Sequence, residues 1–195
     1  CCAHPEIAER HDDPWPDAYC PSNPETYELL FDVMDEVIAA FRPRILHIGH
    51  DELLSVRVCP QCRKRSGAEL FADDVRRIHG FLSERGIRTM MWADKLIKVG
   101  RFSGVGRREK DPGNGNWWVL PPTHQALDRI PRDVILCDWY WSIAPWGLRE
   151  FAKRGFEVCF GNFSPTQFPD WARKARHPNV MGAEISSWCE VSPGA

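Results

Sequence analysis

Residues 47–52, with the sequence HIGHDE, place two histidines and two adjacent carboxylates directly after an apolar run. Charged side chains are costly to bury, so this cluster is either a fully satisfied structural element or a working site. Adjacent acids such as Asp51 and Glu52 suit acid–base chemistry, because carboxyl groups held close together can divide into one protonated acid and one anion. The residues that accompany them must decide between the two interpretations.

The histidines of the same segment are also candidate metal ligands. Side chains alternate along a strand, so His47 and Asp51 share one face while His50 lies on the opposite face. Histidines on opposite faces do not converge on one ion. The spacing therefore favours acid–base catalysis over a catalytic metal.

The elements that would position these residues alternate between strand and helix. Apolar positions at helical spacing predict helices over 22–41 and 68–86, with Ser22 and Glu25 spaced as a capping box at the start of the first. Apolar runs predict five strands, and shorter helices separate the last three. The predicted strands lie at 44–49, 88–94, 133–141, 156–162 and 179–188. This alternation is typical of a parallel sheet covered by helices, and 100–122 is predicted to be a long active-site loop.

Two parallel architectures fit this pattern, an open doubly wound sheet and a (β/α)₈ barrel. Polar or aromatic residues follow nearly every predicted strand, which is typical of the TIM barrel. They are Asp51, Glu52, Trp92, Asp94, the segment 138–141, Asn162, Trp188 and Glu190. No glycine-rich phosphate loop follows a strand, which counts against a nucleotide-binding sheet. The sequence predicts a single α/β domain of the (β/α)₈ TIM-barrel type, with five of its eight strands.

The segment HIGHDE resembles the His-x-Gly-Gly-Asp-Glu signature of family 20 glycoside hydrolases, the β-N-acetylhexosaminidases, whose catalytic domain is a (β/α)₈ barrel. The preceding YCPSNPETYELLFDVMDEVIAAF is similar to the helix before that signature. MMWAD resembles the next strand, and GAEISSWCE resembles the last. On this resemblance, residues 1–195 are expected to form part of the catalytic barrel, about strands four to eight, with the N-terminal strands missing.

The resemblance implies removal of terminal β-linked N-acetylhexosamine, or a related amino sugar, by substrate-assisted retaining catalysis. Asp51 is then expected to stabilise the acetamido group, and Glu52 to act as general acid and then as general base. His47 is expected to brace this pair. The tryptophans would enclose the sugar and a glutamate would bind its hydroxyls; these residues are Trp92, Trp139 or Trp141, Trp188 and Glu190.

Two features depart from the family pattern. His50 replaces the second glycine of the signature, which adds bulk beside the acids. The strand-seven tyrosine of the family has no match in CFGNFSP, and Tyr140 is a candidate substitute. Two other functions therefore stay open: a noncatalytic carbohydrate-binding relative of the same barrel, and a metal-dependent hydrolase.

The segment CPQC gives Cys59 and Cys62 the spacing of a zinc-ligand pair. Cys20 precedes a helix in a loop expected at the same end of the sheet, and Cys1, Cys2 or His4 are candidates for a fourth ligand. A structural zinc, a disulfide or redox pair, and unliganded thiols are the three alternatives. The expected reaction requires no cofactor.

Composition narrows the class of partner. The formal net charge is -2, with 43% hydrophobic and 27% charged residues, as in ordinary globular proteins. This balance gives no reason to expect a nucleic-acid or anionic-membrane partner, and no apolar run approaches the roughly 20 residues of a membrane span. The eight cysteines do not form a dense disulfide framework, which favours a reducing, cytoplasmic-type compartment. A carbohydrate is the expected partner.

Overall fold

The computed structural model describes six stretches of the chain, and all structural statements below refer to them. They are residues 3–9, 18–53, 56–98, 107–110, 117–120 and 122–186. Among these residues, no helix has the length and apolar character that crossing a membrane requires.

Seven strands occur in the described stretches, and five of them form the central sheet. In chain order they are β1 (Ile45–His47), β2 (Arg88–Trp92), β3 (Arg107–Lys110), β4 (Trp117–Leu120), β5 (Ile135–Asp138), β6 (Glu157–Phe160) and β7 (Val180–Ala183). The central sheet has the order β1-β2-β5-β6-β7, and each pair in it is parallel. The five strands predicted from apolar runs are therefore neighbours in chain order, with their carboxyl ends at one edge.

Helices flank the sheet. The α-helices are α1 (Pro24–Phe41), α2 (Gly67–Ser83), α3 (Gly147–Lys153) and α4 (Trp171–Lys174), and 3₁₀ turns cover Pro5–Ile7, Cys62–Lys64, Asp94–Leu96 and His124–Asp128. A capping box does begin a helix, but it begins α2, where Ser66 and Glu69 exchange hydrogen bonds.

The capping box predicted at Ser22 and Glu25 is wrong. Asn23 is the N-cap of α1, and its side chain accepts the Glu25 N–H at 3.0 Å. Pro24 occupies the first helical position, where its missing N–H costs nothing, and this fixes the cap one residue later than Ser22. The Ser22 hydroxyl instead lies 3.1 Å from Cys62 Sγ.

The two faces of the sheet bury different side chains, as strand alternation requires. Leu136 of β5 belongs to the main hydrophobic core between sheet and helices, together with Met91 and Phe151. Ile135 and Cys137 of the same strand pack with Cys159 on the opposite face. All four residues of β5 are buried, which explains why a central parallel strand has a continuous apolar sequence.

The segment 100–122 contains more order than the predicted loop. Strands β3 and β4 form an antiparallel hairpin, with Glu109 opposite Trp118. The strand β3 has the sequence RREK. A run of charged residues lacks the apolar alternation by which strands are recognised, so the sequence pattern gave no signal for it. The other residues of this segment, except 122, lie outside the described part of the chain.

Candidate active site

A tight turn follows β1 and carries the two adjacent carboxylates. Gly49, His50 and Glu52 have φ angles of 75°, 74° and 41°, which are sterically costly for the two residues with side chains. Hydrogen bonds to β2 hold the turn, because the Trp92 N–H donates to the Gly49 carbonyl at 2.9 Å. The turn allows Asp51 and Glu52 to line the same cavity, although alternation along a straight strand would separate them.

That cavity lies at the carboxyl ends of the strands and has a volume of about 330 Å³. Its lining comes from residues at or just after the ends of β1, β2, β5 and β6: Asp51, Glu52, Trp92, Trp139 and Asn162. Glu52 is exposed, and Asp51 and both tryptophans are half-buried. A concave site with aromatic walls and two acids suits a small polar ligand with apolar faces, such as a sugar.

Asp94 is a buried acid directly behind this cavity. Its Oδ2 accepts the Glu52 N–H at 3.0 Å, and its Oδ1 accepts Nε1–H of Trp139 at 3.3 Å. Burial raises the pKa of Asp94 to about 6 and the nearby Asp51 adds to this effect, against the lowering effects of Lys95 and the two hydrogen bonds. One carboxylate therefore connects the turn of the acid pair to an aromatic wall.

Trp92 lines the cavity, and His47 supports it from behind without lining the cavity itself. Their rings meet edge to face with centroids 4.7 Å apart, and the Gly49 N–H donates to His47 Nδ1 at 3.1 Å. Burial lowers the pKa of His47, while the charges of Asp51 and Glu184 act in the opposite direction. Trp92 also lies directly on Gly161, where an added Cβ would be only 2.4 Å from its ring. The absent side chain of Gly161 therefore makes room for the tryptophan.

His50 points away from the cavity, towards α2. Its Nε2 donates to Asp74 Oδ2 at 2.7 Å, and its Nδ1 lies 2.9 Å from the Ile48 carbonyl. Asp74 also accepts hydrogen bonds from the hydroxyls of Tyr19 and Tyr27, at 2.9 and 2.7 Å. Burial lowers the pKa of His50, but the bonds to Asp74 and Ile48 outweigh it, so the net pKa is raised. The His50 side chain, which replaces the second glycine of the signature, therefore lies outside the cavity.

The structure divides the predicted sugar-binding residues. Trp139 lines the cavity, whereas Trp141 does not: it is buried in the main core, and its Nε1–H donates to the Gly161 carbonyl at 2.9 Å. Tyr140 is likewise a buried core residue. Trp188 and Glu190 lie outside the described residues.

Glu184, just after β7, is a residue that the sequence interpretation missed. Its Oε1 accepts the Asn162 N–H at 2.9 Å, and Ser186 Oγ lies 2.8 Å from each of its carboxylate oxygens. Glu184 falls in the middle of the predicted strand 179–188, and only the end of β7 at Ala183 shows that it follows a strand. Glu184 fixes the backbone of Asn162 at the cavity wall.

The three cysteines predicted as zinc ligands are brought together on the other side of the turn. Cys20, Cys59 and Cys62 are buried, and Glu9 joins them, with one ligand atom from each residue within 4.8 Å of the others. His4 is instead beside Glu6, 3.0 Å from its carboxylate. Cys1 and Cys2 lie outside the described residues.

The family model described as "Glycosyl hydrolase family 20, catalytic domain" matches residues 3–194. The chain belongs to glycoside hydrolase family 20. A curated relative, "Beta-hexosaminidase" from Emericella nidulans, is 25% identical over 138 residues, which are 70% of this chain and 20% of that protein. The family 20 chain therefore spans about a fifth of the length of this relative.

Solved structures show the same fold. A β-N-acetylhexosaminidase from Bacteroides fragilis NCTC 9343 aligns with a TM-score of 0.58 at 20% identity, over 82% of this chain and 29% of the other. The chitobiase FjGH20 from Flavobacterium johnsoniae gives 0.58 at 20% identity, over 82% and 23%. An inactive variant of the family 20 exo-β-N-acetylglucosaminidase from Vibrio harveyi gives 0.60 at 17% identity, over 96% and 32%. The fold is α/β and TIM-barrel-like.

Proposed function

We propose that this chain carries the acid–base pair of a glycoside hydrolase that removes terminal β-linked N-acetylhexosamine, or a related amino sugar, by substrate-assisted retaining catalysis. The observation that carries the proposal is that Asp51 and Glu52 line one cavity together with Trp92 and Trp139. Family 20 membership and the names of the β-hexosaminidase and β-N-acetylhexosaminidase relatives support the sugar class.

The first step needs no nucleophile from the protein. The 2-acetamido oxygen of the sugar attacks the anomeric carbon while the glycosidic C–O bond breaks, and the acid form of Glu52 gives its proton to the leaving oxygen. Positive charge develops on the acetamido group as it closes into a ring. The Asp51 carboxylate at the same cavity stabilises that charge and orients the group.

The second step reverses the proton transfer. Water attacks the anomeric carbon, Glu52 now accepts the proton of the water, and the bond to the acetamido oxygen breaks to release the sugar with retained configuration. The neighbours of the pair hold this geometry: Asp94 fixes the Glu52 backbone and the Trp139 indole. The two tryptophans exclude water from the ring face of the sugar.

The test is Glu52→Gln, which keeps the shape of the side chain but removes its proton. Turnover of aryl N-acetyl-β-glucosaminides with poor leaving groups should fall at least about a hundredfold, the lower range for general acid catalysis. Substrates with very good leaving groups need less protonation and should lose less. Glu84→Gln, at an exposed position just after α2, is the matched control and should leave both rates unchanged.

Equal losses across leaving groups would contradict the role of Glu52 as the acid. Saturable binding of N-acetylglucosamine by a parent protein without hydrolysis would instead identify a noncatalytic carbohydrate-binding relative. Activity that a chelator abolishes and added metal restores would favour a metal-dependent hydrolase.

A further inference from the structure

Three thiols and one carboxylate converge beside the turn that carries the acid pair. Cys20 Sγ is 3.4 Å from Cys59 Sγ and 3.6 Å from Cys62 Sγ. Zinc–sulfur bonds of about 2.3 Å in a tetrahedral site separate the sulfurs by about 3.8 Å. The cluster therefore has nearly the dimensions of a zinc site, and small movements would let it close on the ion.

Glu9 supplies an independent reason to expect a cation. The residue is 1% exposed, and its Oε1 accepts the N–H groups of Val58 and Cys59 at 2.7 and 3.2 Å. Its Oε2 is buried and has no hydrogen-bond partner among the described residues. A buried carboxylate oxygen without a partner is costly, and a metal ion at the centre of the cluster would satisfy it.

The backbone around the cysteines also suits thiolates. The Cys62 N–H points at Cys59 Sγ at 3.3 Å, and the Ser22 hydroxyl lies 3.1 Å from Cys62 Sγ. Donors aimed at sulfur stabilise its charged form and orient it, as partners behind metal ligands do. A disulfide between two of the cysteines would leave the third thiol unpaired and Glu9 Oε2 without a cation.

We propose that Glu9, Cys20, Cys59 and Cys62 bind one Zn²⁺ as a structural site. Three soft thiolates select zinc over magnesium or calcium, and four protein ligands leave no open position for a substrate. The ion joins three segments that are distant in sequence. Leu53, the residue after Glu52, packs against the same hydrophobic cluster as Cys59 and Cys62. The zinc therefore anchors the segment that follows the acid pair.

The first measurement is the metal content of the protein, purified under reducing conditions without chelator. We expect about one zinc per chain by inductively coupled plasma mass spectrometry, because a closed four-ligand site holds one ion. Cys59→Ser and Cys62→Ser should each reduce it to a small fraction. Cys159→Ala removes a buried cysteine of β6 that is distant from the cluster and should keep the zinc.

The second measurement begins with the parent protein, so this part of it stands even where a variant fails to fold. Replacement of zinc by Co²⁺ should give the strong visible bands of a tetrahedral ion and a thiolate charge-transfer band. Glu9→Gln should keep the charge-transfer band but weaken Co²⁺ binding at least about tenfold, because an amide is a poorer ligand. Both readouts are independent of sugar hydrolysis.

Three results would overturn the proposal. One is a parent protein without zinc that also gives no tetrahedral cobalt spectrum. Another is zinc content that Cys59→Ser and Cys62→Ser leave unchanged. The third is a disulfide between two of Cys20, Cys59 and Cys62, located by peptide mass mapping of protein purified without reductant.

Discussion

Asp51 lies between two regions of opposite character. On one side is the cavity with Glu52, Trp92 and Trp139, and on the other a pocket of about 280 Å³ that Asp51 also lines, with His50 and Asp74. Glu52 is exposed in the first region, whereas both His50 ring nitrogens face acceptors in the second. The first region is open to a ligand, and the second is internally satisfied and holds the turn.

The contrast explains how the signature tolerates a histidine in place of glycine. A non-glycine residue at positive φ costs about 1–3 kcal/mol. A buried hydrogen bond to a charged group contributes about 1.5–3 kcal/mol, so the bond from His50 to Asp74 is large enough to offset that cost. The histidine changes the support of the turn and leaves the cavity lined by Asp51 and Glu52 unobstructed.

The largest effect is expected on the open side, from Asp51→Asn. Loss of the negative charge should lower kcat at least about a hundredfold, as removal of one transition-state-stabilising group does. Ground-state binding should change less, while a thiazoline mimic of the cyclised intermediate should lose affinity. Steady-state kinetics and competition with the mimic measure both effects. Asp32→Asn, at an exposed position of α1, is the control, and turnover within a few-fold of the parent would contradict substrate assistance.

Gly161→Ala should have the next largest effect, through the wall of the cavity. An added Cβ would be 2.4 Å from Trp92 and 3.1 Å from Glu184 Oε1, so the indole must move. We expect kcat/KM to fall about tenfold or more, since small displacements of positioning groups are costly. In Gly80→Ala, within α2, the new methyl group meets nothing within 4 Å. This control should keep activity and gain about 0.4–1 kcal/mol in the free energy of unfolding.

Asp94→Asn tests the connection between the two walls of the cavity by its pH dependence. The pKa of Asp94 is raised to about 6. As the pH falls through that value, one of its oxygens becomes protonated and is a poorer acceptor for the hydrogen bond that it now receives. The kcat/KM profile of the parent should therefore decline on the acid side near pH 6. In the variant, activity should be lower and this decline displaced. An acid limb unchanged in position would assign it to another group.

The smallest effect on turnover is expected on the His50 side, from His50→Asn, because His50 does not line the cavity with Glu52. Asparagine tolerates positive φ but cannot become cationic. The pKa of His50 is raised in the folded protein, so its contribution to stability is complete below the unfolded pKa and is lost as pH rises through the folded pKa. The parent should exceed the variant by about 1–3 kcal/mol in the free energy of unfolding at acid pH, and by less at alkaline pH. Denaturant titrations at both ends measure this difference, and a constant difference would contradict it.

Local patterns were sufficient for much of the fold. Apolar runs located the five strands of the sheet. His47 and His50 do point to different neighbours, Trp92 and Asp74, but β1 ends at His47 and the positive-φ turn after it separates them, not strand alternation. The hairpin of β3 and β4 was missed because its first strand is charged. The cap of α1 was misplaced because Asn23 and Ser22 are both good caps. Pro24 at the first helical position favours Asn23, and the Ser22 hydroxyl contacts Cys62 instead.

The site was less predictable, since its supporting contacts join residues distant in sequence. Asp94 binds residues that are 42 and 45 positions away, and Glu9 binds the Cys59 N–H across 50 positions. No spacing rule reports such pairs. The adjacent acids were visible because they are neighbours in the chain, whereas Trp139 and Trp141 fit the cavity equally well in sequence. The core contact of Trp141 with Gly161 separates them only in three dimensions.

Each strand end of the sheet contributes its own side chains to the cavity or its wall, from Asp51 after β1 to Glu184 after β7. The hydrogen bonds of the sheet are made by backbone further back along each strand. On the proposed function, substitutions at single strand ends are expected to change the sugar preference without disturbing strand pairing. A library that varies position 162 and keeps Trp139, whose indole donates to Asp94, would sample new cavity surfaces with that support intact.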